Sequence, residues 1–359
     1  MTTPDPANLP VENTKPADRS QVTSGPLGVA NFVVSMFSTN ERQRASPDEG
    51  KKTSHIRLVT IGVSHFCEKS RWALDLLEAK PGSPYYYTED PHCPGFHSFA
   101  SLPACGYATS QTPMIVMKDD ASGDAKTVHP SDAINKLLMP ELYHSDNASV
   151  AAEIEELEQD FGKRVGATAR CFAYHHILSD LKTPEGLSSV TQLCANPSIV
   201  SKVENRLFSN MLDKGLGKGI LKSMSITAES AAASEESLRN VFAEVSQRLE
   251  ESGGDYIMDK KGQPSLGFTA ADLTFAALAA PVIVPKQLGA VYPEEVLQKL
   301  PAPYQTLQNE LRQTTAGKHV VNMYSKHRLE KDATGSDAKV ELKVVDRNCY
   351  PWQGWFGAA

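Results

Sequence analysis

The stretch Val63–Asp75 reads VSHFCEKSRWALD and follows a short apolar run, IRLVTIG, that ends in glycine. Such a run is typical of a central strand buried on both faces. A helix is predicted over residues 64–79 because apolar and small residues recur there at helical spacing: Phe66, Ser70, Ala73, Leu74 and Leu77. Ser64 therefore stands at a strand-to-helix junction, three positions before Cys67. The junction fits a thiol redox site, a site that activates the thiol of another molecule, or the capped start of a buried helix.

The segments that follow predict a small mixed sheet. Tyr85–Asp90 (YYYTED) has the composition of a strand, and Pro113–Met117 (PMIVM) is a second apolar strand. Hairpin-turn residues (KDDASGDAK) and a return strand (TVH) come next, and PSDAINKLL opens another helix. This order favours a right-handed parallel crossover followed by an antiparallel hairpin. We therefore predict a sheet of about four strands with helices on its faces.

Strand patterns stop after the stretch MPELYHSDNAS. Apolar residues over 150–172 recur every three or four positions and predict one long helix, in which Gly162 and Gly166 indicate close backbone packing. Another helix is predicted from Thr269, where Thr269 and Asp272 are spaced as a capping box. The second part of the chain is thus predicted to be all helical.

These patterns divide the chain into four parts. Residues 1–54 are predicted to be a disordered or targeting extension, because they are rich in proline, threonine and asparagine and lack the basic start and apolar core of a secretory peptide. A small α/β domain follows over 55–142. An all-helical domain spans 148–330, with an insertion at about 180–233, and a polar tail occupies 331–359.

Composition argues against several classes of protein. The chain has 359 residues, enough for two domains, and its net charge of −7 disfavours a nucleic-acid or anionic-membrane surface, which needs a basic footprint. Its longest apolar stretch, FAALAAPVIV at residues 275–284, is too short to span a membrane and predicts a buried helix. No two of the six cysteines lie within three residues of each other. We expect a cytoplasmic protein, or an organellar one if residues 1–54 are a transit segment.

Four stretches together resemble the glutathione S-transferase superfamily. SHFCEKSRWALD is similar to the active-site turn and first helix of its thioredoxin-like domain, and QTPMIVM to its proline-led strand. PSDAI is similar to the turn that holds the glutamyl end of glutathione, and FTAADLTFAALAAP to the capped core helix of the second domain. A fifth, weaker match, RQTTAGKHVVNMYSKHR, is similar to the closing helix of some bacterial and plant members. The resemblance covers about residues 56–328 and implies an α/β + all-α fold class: a thioredoxin-like N-terminal domain followed by an all-helical glutathione S-transferase C-terminal-like domain.

The resemblance implies a role for the residues that start the first helix. Ser64 would donate a hydrogen bond to the thiolate of bound glutathione, at the positive end of the helix dipole. Its alternative role is that of a helix N-cap. Cys67 lies one helical turn further and lacks an outer cysteine partner at position 64. It is therefore predicted to be a buried small residue, with the resolving thiol of a redox site as the alternative.

The resemblance also implies where the rest of glutathione would bind. The bond between Thr112 and Pro113 would be cis, and the backbone of Thr112 would pair with the peptide part of glutathione like an added strand. Ser131 can cap the next helix, and it would bind the γ-glutamyl carboxylate there. Members of the family usually carry an acidic or amide residue just before this serine. Pro130 departs from that pattern, and Asp132 is the available substitute.

Three functions are open at this stage. The first is a glutathione S-transferase-like enzyme of detoxification that transfers the thiolate of glutathione, its co-substrate, to a small electrophile. It would need no metal, nucleic acid or membrane span, and the resemblance implies a possible homodimer. The second is a non-catalytic glutathione S-transferase-like binding or scaffold protein. The third is a thiol-disulfide reductase that uses Cys67.

Other candidate residues are given less weight. His92, Cys93 and His97 have irregular spacing, which predicts a surface loop near the active site rather than a set of metal ligands. Arg170 and Tyr174 are predicted to face the cleft between the domains, where the second substrate would lie.

Overall fold

The computed structural model describes residues 42–44, 54–118, 125–179, 190, 199–288, 298–328 and 342–344. It confirms the predicted fold class, since a small mixed sheet with helices precedes a domain that is helical throughout its described residues up to 328. Most of the predicted extension 1–54 and tail 331–359 lies outside the described residues. In the part of the chain that the structure covers, every helix is too short or too polar to cross a lipid bilayer.

The described strands form one sheet. Their bounds are Arg42–Arg44 (β1), Ser54–Ile61 (β2), Tyr85–His92 (β3), Met114–Lys118 (β4), Ala125–Val128 (β5) and Leu342–Val344 (β6). Their order in the sheet is β5-β4-β2-β3-β1-β6. β2 and β3 are parallel, and the other neighbouring pairs are antiparallel. The predicted crossover and hairpin thus form the four strands β5-β4-β2-β3.

Two short strands extend the sheet beyond β3. β1 pairs with β3, with Arg42 opposite Glu89, and β6 pairs with β1, with Val344 opposite Arg42. Both strands come from segments that the sequence analysis assigned to the extension and the tail. A strand of three residues is too short to show a periodic pattern, so the sequence does not reveal it.

The α-helices, numbered in chain order, have the following bounds: His65–Ala79 (α1), Ser98–Ala104 (α2), Ser131–Leu138 (α3), Ala148–Phe161 (α4), Ala167–Ser179 (α5), Ile199–Asp213 (α6), Leu216–Ser223 (α7), Ala228–Ser252 (α8), Ala270–Ile283 (α9), Ala302–Gln313 (α10) and Thr315–Met323 (α11). A 3-10 turn, Pro140–Tyr143, follows α3, and π-helical turns lie at Gly162–Gly166 and Tyr324–Arg328. The stretch after His92, expected to be mostly loop, contains α2. The predicted insertion contains α6, α7 and the start of α8.

α1 is buried nearly all round because it lies between the sheet and the helical domain. Glu68, Lys69 and Arg71 are each at most 1% exposed. Arg71 donates to Glu68 at 2.5 Å and, through Nε, to Glu89 of β3 at 3.0 Å. Nζ of Lys69 lies 2.6 Å from Oε1 of Glu158 on α4. Burial of these charges is tolerable because each one has an opposite charge beside it.

The π-helical turn after α11 holds α1 from the side of the helical domain. Arg328 donates from Nε to Glu68 at 3.0 Å, and both side chains are 1% exposed. Trp72 donates its indole N–H to the carbonyl of His327 at 3.1 Å, and the centre of its ring lies 4.4 Å from that of Tyr324. Ion pairs and aromatic packing on α1 therefore join the two domains.

The helix predicted over residues 150–172 keeps helical backbone throughout but contains a π-helical turn. The π-helical turn that begins at Gly162 and ends at Gly166 separates α4 from α5. A Cβ atom at Gly166 would lie 2.6 Å from Cζ of Phe66 and 3.2 Å from Cδ1 of Leu278, whereas one at Gly162 would meet nothing within 4 Å. The predicted close packing is thus confirmed at Gly166 and wrong at Gly162.

α9 is the central helix of the second domain, and every residue in it is buried. Asp272 accepts hydrogen bonds from the backbone N–H of Thr269 at 3.0 Å and from its hydroxyl at 2.8 Å. The predicted capping box is therefore confirmed. Asp272 also accepts from the backbone N–H of Ile257 at 2.8 Å, which fixes the preceding loop to the start of the helix.

The two glycines of the π-helical turn provide a matched test of this packing. Gly162→Ala should raise the free energy of unfolding by about 0.5–1 kcal/mol, because alanine restricts the unfolded chain and favours helix. Gly166→Ala should lower it, because the methyl group must displace the ring of Phe66. Urea unfolding of both variants measures the two shifts, and shifts of the same sign would contradict the packing described.

Candidate functional site

Two of the predicted site segments meet at one edge of the sheet. β2 leads at its carboxyl end to Ser64, the residue before α1. β4 runs antiparallel to β2, with Met114 opposite Val59. Thr112 and Pro113, which precede β4, therefore lie beside the end of β2 from which the chain passes to Ser64.

The third segment arrives at the same edge through β5. β5 is antiparallel to β4, with Val128 opposite Ile115, so it ends where β4 begins. Ser131, three residues later, starts α3 at this edge. The structure thus brings together the three segments that the sequence analysis proposed for glutathione binding.

Ser64 is the N-cap of α1, so its predicted structural role is confirmed. The residue has extended backbone angles, and its hydroxyl accepts a hydrogen bond from the backbone N–H of Cys67 at 3.4 Å. Its side chain is partly exposed. A serine hydroxyl has two lone pairs and a proton that rotates to suit its partner. The same oxygen can therefore cap the helix and still donate to an anion bound at the helix N-terminus.

Cys67 is completely buried in the first turn of α1, as the sequence analysis expected. Burial raises the pKa of its thiol above the ordinary value, although hydrogen bonds from Ile61 and Ser64 oppose that shift. A thiol in this state forms little thiolate at neutral pH, and the thiolate is the reactive form. The local chemistry at this helix start therefore favours Ser64 over Cys67 as the residue that meets a ligand.

The Thr112–Pro113 bond is cis, as the resemblance implied. Pro113 is buried and Thr112 is partly exposed. The position beside the end of β2 leaves Thr112 outside the ladder, which begins at Met114. The His129–Pro130 bond, which the sequence analysis did not consider, is also cis and lies at the same edge.

Ser131 does not cap α3, contrary to the expectation from sequence. Pro130 occupies the N-cap position, and Ser131 is the first helical residue, 3% exposed. The helix therefore begins one residue earlier than a cap at Ser131 would place it. The hydroxyl of Ser131 donates to Oδ1 of Asp132 at 3.2 Å.

Asp132 is bound to a lysine that the sequence analysis did not single out. Lys69 pairs with Asp132 and, at 2.6 Å, with Glu158 on α4. Burial would by itself lower the pKa of Lys69, but Glu158 and Asp132 outweigh it and hold the pKa above its ordinary value. Tyr143 donates to Glu158 at 2.8 Å. The end of α3 that would hold the glutamyl group is thus linked by one ammonium group to the helical domain.

The helical domain approaches the first turn of α1 through His65 and Phe66. His65 donates from Nε2 to the carbonyl of Gly166 at 2.9 Å. Burial, assisted by the charge of Arg170, lowers the pKa of His65 to about 3, so the ring is neutral. The guanidinium carbon of Arg170 lies 5.8 Å from the centre of the Phe66 ring. Arg170 therefore faces the contact between the two domains, as predicted.

Helix α6 from the insertion also packs beside Ser64, which the sequence did not indicate. Phe208 and Leu212 of α6 form a buried cluster with Cys93, and Val63 packs against this cluster. Ile177 from the end of α5 lies against it as well. The residue just before Ser64 thus contacts a hydrophobic wall that the insertion supplies.

His92 and Cys93 are buried, which corrects the prediction of a surface loop. His92 is the last residue of β3 and lies between Asp90, at 3.2 Å, and Glu204 of α6, at 3.0 Å. Burial opposes protonation of His92, but Asp90 and Glu204 outweigh it and raise its pKa to about 9. Glu204 also accepts from the backbone N–H of Cys93. Among the described residues, no group of three or more His, Cys, Asp or Glu side chains is arranged to hold a metal ion.

The candidate site combines polar groups at one edge of the sheet with apolar packing beside Ser64. Ser64 provides a hydroxyl at the positive end of α1, Thr112 provides backbone groups beside it, and Ser131 starts a second helix at the same edge. Lys69 and Glu204 were missed by sequence reasoning. A signal for Lys69 was available in the sequence. When a helix with charged residues on all sides packs between two domains, some of those charged side chains must be buried.

Solved structures of glutathione transferases are similar to this chain at low sequence identity. Glutathione transferase F2 from Populus trichocarpa is 14% identical, and the match covers 76% of this chain and 99% of that one, with a TM-score of 0.39. Gtt2 from Saccharomyces cerevisiae is 12% identical over 74% of this chain and 99% of that one, with a TM-score of 0.40. Glutathione S-transferase-I bound with lactoylglutathione is 16% identical over 75% and 99%, with a TM-score of 0.38. No protein-family model and no curated protein matches the chain.

The ion pair between His92 and Glu204 predicts a pH dependence of stability. The pKa of His92 is raised from 6.5 to about 9, so its contribution is fully present below pH 6.5 and is lost as the pH rises through about 9. The difference in unfolding free energy between wild type and His92→Gln should therefore shrink by about 3 kcal/mol over this range. Urea unfolding at several pH values measures it.

His129→Gln is the matched control. Burial lowers the pKa of His129, so the ring is neutral in both the folded and the unfolded chain above pH 6.5, and the difference from wild type should not change with pH. A constant difference for His92→Gln as well would contradict the assignment of a protonated His92.

Proposed function

We propose that this protein is a glutathione S-transferase-like enzyme that transfers the thiolate of glutathione to a small electrophile. The observation that carries the proposal is the meeting of Ser64, at the N-terminus of α1, with the cis Thr112–Pro113 bond at one edge of the sheet. A hydroxyl at a helix N-terminus stabilises an anion, and backbone groups that lie outside the strand ladder, as at Thr112, can accept a peptide as an added strand.

The cysteinyl part, the glutamyl end and the thiolate of glutathione each have a counterpart in this arrangement. The backbone of Thr112 pairs with the cysteinyl part, and Ser131, with Asp132 beside it, binds the glutamyl end. Ser64 donates a hydrogen bond to the thiolate and lowers the pKa of the bound thiol. The thiolate sulfur then forms a bond to an electrophilic carbon, the leaving group departs with its electron pair, and the thiol proton has gone to solvent.

The electrophile lies where α1, α5 and α6 converge. Val63 and Phe66 flank Ser64 in the chain, and Arg170 approaches Phe66 from the helical domain. This environment suits an apolar molecule with a polar or anionic substituent. In this proposal the enzyme acts in detoxification as a cytoplasmic homodimer, or in an organelle if residues 1–54 are a transit segment.

Substitutions of Ser64 separate capping from catalysis. Ser64→Ala should lower kcat/KM for conjugation of 1-chloro-2,4-dinitrobenzene roughly ten- to one-hundred-fold, because a hydrogen bond to a charged group contributes about 1.5–3 kcal/mol. It should also cost about 1 kcal/mol of stability, because the cap is lost. Ser64→Asp keeps a capping oxygen but places a carboxylate beside the thiolate, so activity should fall while stability is retained.

Cys67→Ser provides the control at the neighbouring thiol. The conjugation rate should stay within about two-fold of wild type, because the buried thiol of Cys67 does not meet the substrate in this proposal. Loss of a disulfide-reductase activity in Cys67→Ser, with no effect of Ser64→Ala on any rate, would favour the thiol-disulfide reductase instead.

A second candidate function is a non-catalytic glutathione S-transferase-like binding or scaffold protein. The observation in its favour is that the groups proposed to bind the glutamyl end already bond to each other. Lys69 is paired with Asp132, and the hydroxyl of Ser131 donates to Asp132. Pro130 stands where a polar residue is usual. A ligand must compete with these bonds for the same groups. This candidate would bind glutathione weakly and would act through a protein partner.

Calorimetric titration with glutathione distinguishes the two candidates. For an enzyme, Ser131→Ala should weaken binding by about ten-fold, since one hydrogen bond to a carboxylate is lost. Lys136 lies on α3, like Ser131, but it is exposed and paired with Glu155 of α4. Lys136→Ala should therefore bind glutathione like wild type. Wild-type protein that is folded but releases no heat with glutathione would contradict the enzyme and support the binding protein.

A further inference from the structure

Helix α6 carries an apolar stripe on its outer side. Val203, Leu207 and Met211 are spaced four residues apart, so they lie along one face of the helix, and they are 55%, 48% and 43% exposed. The opposite face is used, because Phe208 and Leu212 are buried in the cluster beside Ser64. We call the three exposed residues the α6 stripe. A row of large apolar side chains on one helix is typical of a docking surface.

The direction of β1 favours one segment of the chain as the occupant of the α6 stripe. β1 runs antiparallel to β3, with Arg42 opposite Glu89 and Gln43 opposite Thr88. The amino end of β1 therefore points along β3 toward its last residue, His92. His92 is bound to Glu204, which belongs to α6. The N-terminal segment thus leaves the sheet at the end where α6 stands.

The distances allow the contact. Glu89 and His92 are three residues apart in a strand, which corresponds to about 10 Å. Residues 38–41, which join the preceding segment to β1, can span up to about 14 Å. A segment that ends at residue 37 can therefore reach α6 without disturbing β1.

The segment just before this linker has the chemistry that the α6 stripe requires. Gly28–Phe37 reads GVANFVVSMF and has no charged residue. Val29, Phe32, Val33 and Met36 are spaced as one side of an amphipathic helix, with the period of the α6 stripe. Helix-on-helix packing would cover the apolar residues of both.

We infer that Gly28–Phe37 docks in cis on the α6 stripe. The tether gives the segment a high effective concentration at this surface, so a modest contact is sufficient. The C-terminal tail also leaves the sheet at this end, because Val344 is opposite Arg42. Its aromatic stretch, YPWQGWF at residues 350–356, contains a proline and a glycine and does not have the spacing of an apolar helix face.

The docked segment would brace one wall of the candidate site. α6 is held to the sheet through Glu204 and packs through Phe208 and Leu212 against the cluster that includes Val63. Covering its outer face fixes α6 between two apolar surfaces. This inference concerns the position of α6 and holds whether or not the neighbouring site binds glutathione.

Methionine oxidation tests the docking with a control inside the same chain. Met211 in the α6 stripe and Met224 outside it have similar exposure, 43% and 46%. Limited treatment with hydrogen peroxide, followed by peptide mass spectrometry, measures both rates. If the docked state of Gly28–Phe37 is ten times more populated than the undocked state, which corresponds to about 1.4 kcal/mol, Met211 should oxidise about ten-fold more slowly than Met224. Deletion of residues 1–40 should bring the two rates together.

Two point substitutions test the docking in the full chain, so the result does not depend on whether the deletion destabilises the fold. In the full chain, Phe32→Asp should also bring the two rates together, because a carboxylate disfavours an apolar contact. Asn31→Asp adds the same charge one position away, off the apolar side, and should leave Met211 protected.

Three results would overturn the inference. The first is equal oxidation of Met211 and Met224 in the full chain. The second is protection of Met211 that survives Phe32→Asp but is lost on deletion of residues 345–359, which would identify the C-terminal tail as the occupant. The third is protection that disappears on dilution together with a dimer in sedimentation, which would identify a second copy of the chain.

Discussion

The neutralisation of three buried charges on α1 is the constraint on which the rest of the structure depends. Glu68, Lys69 and Arg71 cannot be buried alone, since an unpaired charge in the interior costs several kcal/mol. Their partners come from every direction: Glu89 on β3, Asp132 on α3, Glu158 on α4 and Arg328 after α11. The sheet, α3 and the helical domain must therefore all be in place before α1 is electrically balanced. Each of the three charges has two opposite charges beside it, so removing one partner would weaken the contact between the domains without leaving the charge unpaired.

Much of the fold followed from the sequence because local patterns decide it. The apolar run before Ser64, the proline-led strand after Thr112 and the capping residues at Thr269 each have one structural meaning, and the structure confirms each of them. The interpretation failed where the outcome depends on distant partners. His92 looked exposed because its partner Glu204 lies 112 residues away, on a helix within the insertion. Ser131 looked like a cap because serine is a common N-cap residue, whereas the helix begins at Ser131 itself with Pro130 at the N-cap position. Lys69 and Arg71 were not singled out, because helical periodicity shows only where apolar residues lie.

The candidate site shows the same balance between local and distant determinants. Ser64 owes its position to its own helix, and Thr112 to the strand that follows it, so both were identified from sequence. The two other sides of the site are set by the helical domain. Phe66 is held against Gly166, where no side chain fits, and Val63 is held against a wall that α6 supplies. In the candidate site, the first domain thus supplies Ser64 and Thr112, while the helical domain supplies the residues that pack beside them.

The environment of Lys69 also makes it a reporter of how the two domains separate. Its ammonium group is held in the charged form by two carboxylates and is closed off from solvent, whereas amine reagents need a neutral, accessible nitrogen. Exposed lysines such as Lys80 and Lys136 lie on the surface of the same domain. Lys69 should react with an amine reagent more slowly than Lys80 and Lys136. Its labelling rate would measure the rate at which α4 moves away from α1. The labelling rate of Lys69 therefore reports how fast the contact between the two domains opens.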